Sequence, residues 1–128
     1  MAKVQIIQRD AHLASGVRIE YVEVRDTRTA KATLTAISNT RWGSGESRGE
    51  EAISVQWVLW GAQAENAATY LSQGSHVNVV GRLRNNNFER GGEMQYRLEF
   101  TVEEIDYLDS RVDAEARRAA NRSQSAKA

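Results

Sequence analysis

The stretch ISVQWVLWGAQAENAATYLSQGSHVNVVGRLR, residues 53–84, changes its hydrophobic period twice. From Ile53 to Leu59 the apolar residues Ile53, Val55, Trp57 and Leu59 fall on every second position, the period of a half-buried strand. From Ala62 to Ser75 the spacing becomes helical, with Ala64, Ala67, Ala68 and Leu71 on one face and Gly74 placed as a C-cap. From His76 the period of two returns: Val77, Val79, Gly81 and Leu83 share one face, Arg82 and Arg84 the other. A single helix therefore interrupts a chain of strands.

Working outward, KATLTAI (31–37) puts Ala32, Leu34 and Ala36 on one face, and a strand from Val4 to about His12 and the run VRIEYVEV (17–24) precede it. On the other side, MQYRLEFTVEEI (94–105) alternates cleanly, with Met94, Tyr96, Leu98, Phe100 and Val102 expected inward and Gln95, Arg97, Glu99, Thr101 and Glu103 outward. Glycine-bearing stretches at 42–51 (WGSGESRGEE) and 85–93 (NNNFERGGE) read as long hairpin tips. Counting gives five or so strands, the runs before Lys31 being the least sharply bounded, and three strands, a helix and two strands is the connectivity of an all-β, five-stranded OB barrel. Closure of the barrel also suits a chain without proline, because it removes the sheet edges that proline would otherwise guard.

Strand parity separates the tryptophans. Positions 57 and 60 are an odd number apart, so their side chains point to opposite faces. Trp57 continues the apolar row and belongs to the core; Trp60 follows Ser54, Gln56 and Val58 on the mixed face and belongs to the surface.

The chain has 128 residues, enough for one domain with a real core and no second domain of ordinary size. It divides into an OB-fold binding domain, 1–109, and a tail, 110–128, that is helical and then disordered. Within the tail Asp113 with Arg117 and Glu115 with Arg118 have helix-supporting spacing. There is no cysteine, which excludes disulfides, thiolate metal sites and cysteine nucleophiles and suits a reducing compartment. Arg9 and Asp10 arrive before any apolar run could become a signal or membrane span, so a cytoplasmic protein with no membrane partner is expected.

Catalytic patterns are missing. His12 and His76 have neither metal-ligand nor triad spacing, and the glycines form no phosphate loop. The carboxylates Glu103, Glu104, Asp106 and Asp109 read as a solvated strand end rather than a cation site. No enzyme activity, metal or cofactor is expected. Basic and acidic residues balance at 17 each, but 14 of the basic residues are arginine, which favours phosphate forks and stacking over diffuse charge. Trp42, Trp60 and Phe88 each lie on an outward or loop-tip position near arginine. That combination is what single-stranded nucleic-acid binders need, because bases stack on rings while arginines follow phosphates. The phosphate contacts are assigned to Arg41, Arg48, Arg82, Arg84, Arg90 and Arg97. His76 and Asn78 form an outward row that calls for a partner surface, and they are assigned to an oligomer interface.

The segment from Trp57 to Arg111 resembles the bacterial and plasmid single-stranded DNA-binding proteins. The resemblance rests on Gly61 closing a strand, YLSQGS (70–75), the V-x-V-x-G-x-L-R pattern from Val77 to Arg84, and EEIDYLD (103–109). It extends over roughly Ala30 to Arg111. It implies an OB fold, sequence-independent binding of single-stranded DNA in replication, recombination or repair, and a homo-oligomer, tetramer ahead of dimer. It also implies stacking roles for Trp42, Trp60 and Phe88. Ser54 stands where the family often has a further stacking tryptophan, and the first 27 residues, which include the strand that commonly forms the family's dimer interface, match poorly. The chain ends RSQSAKA, without the acidic Pro-Phe tip through which family members recruit repair enzymes, so tip-mediated recruitment is not expected. The competing reading is a protein-interaction module of the primosomal type, with weak DNA binding.

Overall fold

The computed structural model describes residues 3–43, 49–109, 115–117 and 119–121. In chain order the elements are β1 (Val4–Leu13), β2 (Arg18–Val24), β3 (Thr27–Trp42), β4 (Gly49–Trp60), α1 (Gly61–Tyr70), β5 (His76–Asn85), β6 (Phe88–Arg90), β7 (Glu93–Gln95) and β8 (Leu98–Tyr107). Six strands form one sheet in the order β1-β5-β8-β4-β3-β2, and a further β1–β3 pairing at His12↔Ile37 and Leu13↔Ala36 joins the ring. The ring thus consists of β1, β3, β4, β5 and β8. Four of its ladders are antiparallel, and β4–β8 is parallel through Trp57↔Phe100 and Val58↔Thr101. This is the expected five-stranded OB-type barrel, with α1 between its third and fourth strands. The run at 17–24 is an additional strand outside the ring: among the described residues β2 pairs with β3 alone, through a two-residue turn whose Arg25 and Asp26 both have positive φ, 51° and 64°. Positive φ at both central residues matches the right-handed twist of a hairpin.

The core is made of small residues around one large one. Ala11, Ala32, Ala36, Ala64 and Ala67 are fully buried, and Trp57, Leu34, Leu59, Val77 and Val79 fill the space they leave. Trp57 is 0% exposed. Its indole N–H donates to Gln8 Oε1 at 2.8 Å, and Gln8 Nε2 donates onward to Ala36 O at 3.0 Å and Ser38 Oγ at 3.2 Å, which satisfies a polar pair that would otherwise be costly inside. Phe100 meets the indole edge-on, with centroids 5.9 Å apart at 71°, a favoured aromatic geometry.

Helix α1 has no side-chain N-cap and no acidic residue in its first turn. It is held instead by burial of Ala64, Ala67 and Leu71. The chain leaves β4 for α1 at Gly61, where φ is +63°, a conformation that a side chain disfavours. The helix ends at Tyr70 with Leu71 as its C-cap, so Gly74, at φ +87°, serves the following turn and not the cap.

Two expectations about burial fail at one end of the barrel. Met94, Tyr96 and Leu98 are exposed, Tyr96 to 78%, and Ile53 is exposed as well. The alternation continues along these strands past the point where an opposing layer exists, and β7 stops at Gln95 before β8 begins at Leu98. Parity sets the face of such a residue but supplies nothing to cover it.

In the tail, residues 115–117 and 119–121 are helical. Arg117 pairs with Asp109, and Asn121 Nδ2 donates to Gln73 O at 3.2 Å. Asp109 is the partner found for Arg117; Asp113 and Arg118 lie outside the described residues.

Candidate nucleic-acid interface

The outward residues of adjacent strands can be followed across the sheet by register. One line runs Gln5–Arg82–Thr101–Val58–Thr33–Arg18 through all six strands. A neighbouring line runs Glu20–Lys31–Trp60. Side chains of directly opposed residues stand about 5 Å apart, so Trp60, Lys31, Thr33, Arg18, Val58 and Arg82 share one continuous face. Val58 and Thr101 are almost buried on this outer face, which makes them the floor between longer side chains.

Trp60 is half-buried at the junction of β4 and α1, and Lys31 Nζ lies 5.5 Å from its ring centroid. Phe88 opens the small β6–β7 hairpin and is also half-buried, with Arg97 Cζ 5.0 Å from its centroid. Arg97 is fixed in this position through its backbone: its N–H donates to Asn87 Oδ1 at 3.3 Å and its carbonyl accepts from Asn86 N–H at 2.8 Å. Both cations are within the range of a cation–π contact. Trp42 closes β3, where its backbone pairs with Gly49; the placement of its side chain, and all of Arg48, lie outside what is described.

Arg41, Arg82, Arg84, Arg90 and Arg97 are all exposed. Three of them stand across a ladder from a glutamate: Arg41 from Glu50, Arg84 from Glu99 and Arg90 from Glu93. Arg82 faces Gln5 and Thr101 instead. Lys31 and Arg18 were absent from the residues expected in the site. They line a groove of about 300 Å³ together with Ile19, Glu20 and Thr33, next to Trp60. Lys31 could have been noticed as the outward residue that opens KATLTAI, but its pairing with Trp60 requires the β3–β4 register.

His76 and Asn78 are half-buried and already have partners within the chain. His76 stacks on His12 with centroids 4.5 Å apart at 3°, and its Nε2 lies 3.2 Å from Asp10 Oδ1. Asn78 Oδ1 accepts the Asp10 N–H at 3.0 Å. Asp10 sits at φ +52° in the bulge of β1 between Gln8 and Ala11, so these side chains brace that irregularity.

The four carboxylates near the end of β8 do not converge. Glu103 pairs with Lys3 Nζ at 2.6 Å, Glu104 and Asp106 are exposed, and Asp109 accepts from His76 N–H at 3.1 Å as well as from Arg117. Burial works to raise the Asp109 pKa, but the His76 amide and the Arg117 guanidinium outweigh it and hold the carboxyl below its ordinary value. A larger cleft, about 770 Å³, lies between α1 and β8, lined among the described residues by Gln63, Asn66, Tyr70, Ile105 and Tyr107 and by neither Trp60 nor Phe88. There the Tyr107 phenol is raised, first by burial and then by Tyr70.

Two rings, each with its own cation, are thus displayed by the five-stranded barrel, Trp60 on its outer sheet face and Phe88 on the β6–β7 hairpin. The model of the Single-strand binding protein family matches residues 8–108. This chain belongs to that family. Among family relatives, Single-stranded DNA-binding protein 3 of Listeria innocua is 33% identical over 97 residues, covering 75% of this chain and 60% of the relative. Single-stranded DNA-binding protein of Bacillus cereus is 36% identical over 83 residues, 64% of this chain and 48% of its own length. Single-stranded DNA-binding protein 2 of Clostridium acetobutylicum is 30% identical over 98 residues, 76% and 71% respectively. The matched region is thus under two thirds of the length of the Listeria and Bacillus relatives. No helix among the described residues is long and apolar enough to cross a membrane.

Proposed function

We propose that this chain binds single-stranded DNA without sequence preference and protects it during replication, recombination or repair. The observation that supports this most directly is the pairing of Trp60 with Lys31 and of Phe88 with Arg97 at the outer surface of an OB-type barrel in a member of the single-strand binding family. Bases stack on Trp60, Phe88 and Trp42, and Arg41, Arg48, Arg82, Arg84, Arg90 and Arg97 contact phosphates. The binding domain spans 1–109, with 110–128 as an appended tail. A titration with poly(dT), followed by quenching of tryptophan emission, tests the reading. Binding should weaken steeply with salt despite the zero net charge, with a log-log slope of about −0.7 for each phosphate neutralised. A flat salt response would favour the protein-interaction module.

Assembly into a homo-oligomer, tetramer ahead of dimer, is part of the proposal. Among the described residues, β1 between Val4 and Gln8 pairs with β5 on one side and with no strand on the other, and Val4 and Ile7 are 57% and 52% exposed along it. An open strand edge carrying apolar residues is a template for another chain. The interface is placed there, with His76 and Asn78 on the adjoining strand. Light scattering at micromolar concentration should give a multiple of the 14.3 kDa chain mass; a monomer would refute the assembly.

A further inference from the structure

We propose that Trp60 and Phe88 are capped by cations of the chain itself in the free protein, and that single-stranded DNA moves each cation from ring to phosphate. Stacking and charge neutralisation then become one coupled exchange rather than two separate contributions. The inference rests on the single-stranded DNA reading above and extends its phosphate contacts to Lys31 and Arg18, to which that reading assigns none.

The geometry is repeated at two unrelated places. Lys31 Nζ stands 5.5 Å from the centre of Trp60, directly across the β3–β4 ladder, and Arg97 Cζ stands 5.0 Å from the centre of Phe88 on the second hairpin. In each case a cation attracted to the ring occupies the space over it that a base would need. The competition has a clear winner. A stacked base is worth about 5- to 150-fold in the binding constant, whereas an exposed cation over a ring is worth about 2- to 5-fold.

The displaced cation has somewhere to go. Lys31 lies between Trp60 on one side and Glu20 on the other, and the groove it lines with Arg18, Glu20 and Thr33 runs beside the ring. A lysine carries a hydrated point charge on a flexible stem, so a small rotation takes Nζ off the indole and into that groove. There Lys31 and Arg18 can meet the phosphate next to the stacked base. Among the described residues Glu20 is the one acidic group lining the groove, against the two cations Lys31 and Arg18.

The exchange has a signature in salt dependence that an ordinary phosphate contact lacks. Replacing Lys31 by methionine removes one phosphate contact, which makes the log-log slope shallower by about 0.7, or about 5-fold in affinity per tenfold change in salt. It also uncovers the ring, which favours stacking by about 2- to 5-fold at every salt concentration. The full-length variant K31M should therefore bind fluorescein-labelled oligo(dT) more weakly than wild type at low salt and about 2- to 5-fold more tightly as salt approaches about 1 M. The two anisotropy-derived lines cross. R97M should behave in the same way through Phe88. R28M is the control, because Arg28 caps Tyr21 at 5.2 Å, and Tyr21 pairs with buried Ala30, whose row faces away from Trp60; its line should follow wild type. Unchanged circular dichroism confirms that each variant is folded, and K31Q serves if K31M is not.

Parallel lines for K31M and wild type would overturn the proposal, since Lys31 would then gain no phosphate. A shallower line lying below wild type at every salt concentration would also overturn it, since the ring would not have been covered. If wild type itself fails to bind oligo(dT), the single-stranded DNA reading falls and takes this one with it. Wild-type binding with parallel lines removes the exchange alone.

Discussion

Trp57→Ala should cost about 3–5 kcal/mol of folding stability, as expected for loss of a fully buried tryptophan. The ring is 0% exposed, meets Phe100 edge-on, and occupies space that the alanines around it cannot fill. Removal also takes the donor from Gln8 Oε1, leaving a buried amide with an acceptor unmatched. Denaturant unfolding should show the loss directly, and any fall in DNA binding should track the unfolded fraction. Trp60→Ala should behave differently. Its circular dichroism should stay near wild type while affinity for poly(dT) falls by about 1–3 kcal/mol, the usual contribution of one stacking platform. If Trp60→Ala unfolds the protein and Trp57→Ala merely weakens binding, the assigned binding face is wrong.

Gly81→Ala is the second change expected to be severe. A Cβ at this position would stand 2.4 Å from Thr101 O and 2.4 Å from Trp57 Cζ3. Neither neighbour can yield cheaply, because the first is backbone of the β5–β8 ladder, which is already irregular between Val80 and Gly81, and the second is the ring at the centre of the core. Overpacking of this kind costs about 1–3 kcal/mol and sometimes more, and contact with backbone as well as a core ring places Gly81 at the upper end. A melting temperature within a few degrees of wild type would mean that β5 and β8 can separate at the bulge without loss, contrary to the packing described.

Much of the candidate site was legible because its signals are local. The opposition of Trp57 and Trp60 follows from the period of a strand and needs no knowledge of the fold. The outward positions of Arg82 and Arg84 follow in the same way from the row Val77, Val79, Gly81 and Leu83. The caps on the rings were not legible. Arg97 reaches Phe88 through a hairpin ten residues long, and Lys31 reaches Trp60 through a register set across the whole β3–β4 connection. His76 and Asn78 were legible as an outward row, but not the contacts they make within the chain, because these come from the bulge at Asp10, which brings nearby groups onto them.

The amino-acid sequence by itself determined the order of strands and helix and, away from the bulges at Gln8/Ala11 and Val80/Gly81, the face on which a strand residue lies, the core tryptophan among them. These depend on period and on the swap from two to 3.6 residues per turn, which are properties of the backbone wherever it sits. The tertiary structure alone decided which of those faces are covered. Met94, Tyr96 and Leu98 have the same alternation as Phe100 and Val102, yet they stand in solvent because their part of the chain runs beyond the barrel's end. It alone also decided which cation meets which ring, because a contact between strands depends on register, and register is the outcome of closing the barrel as a whole.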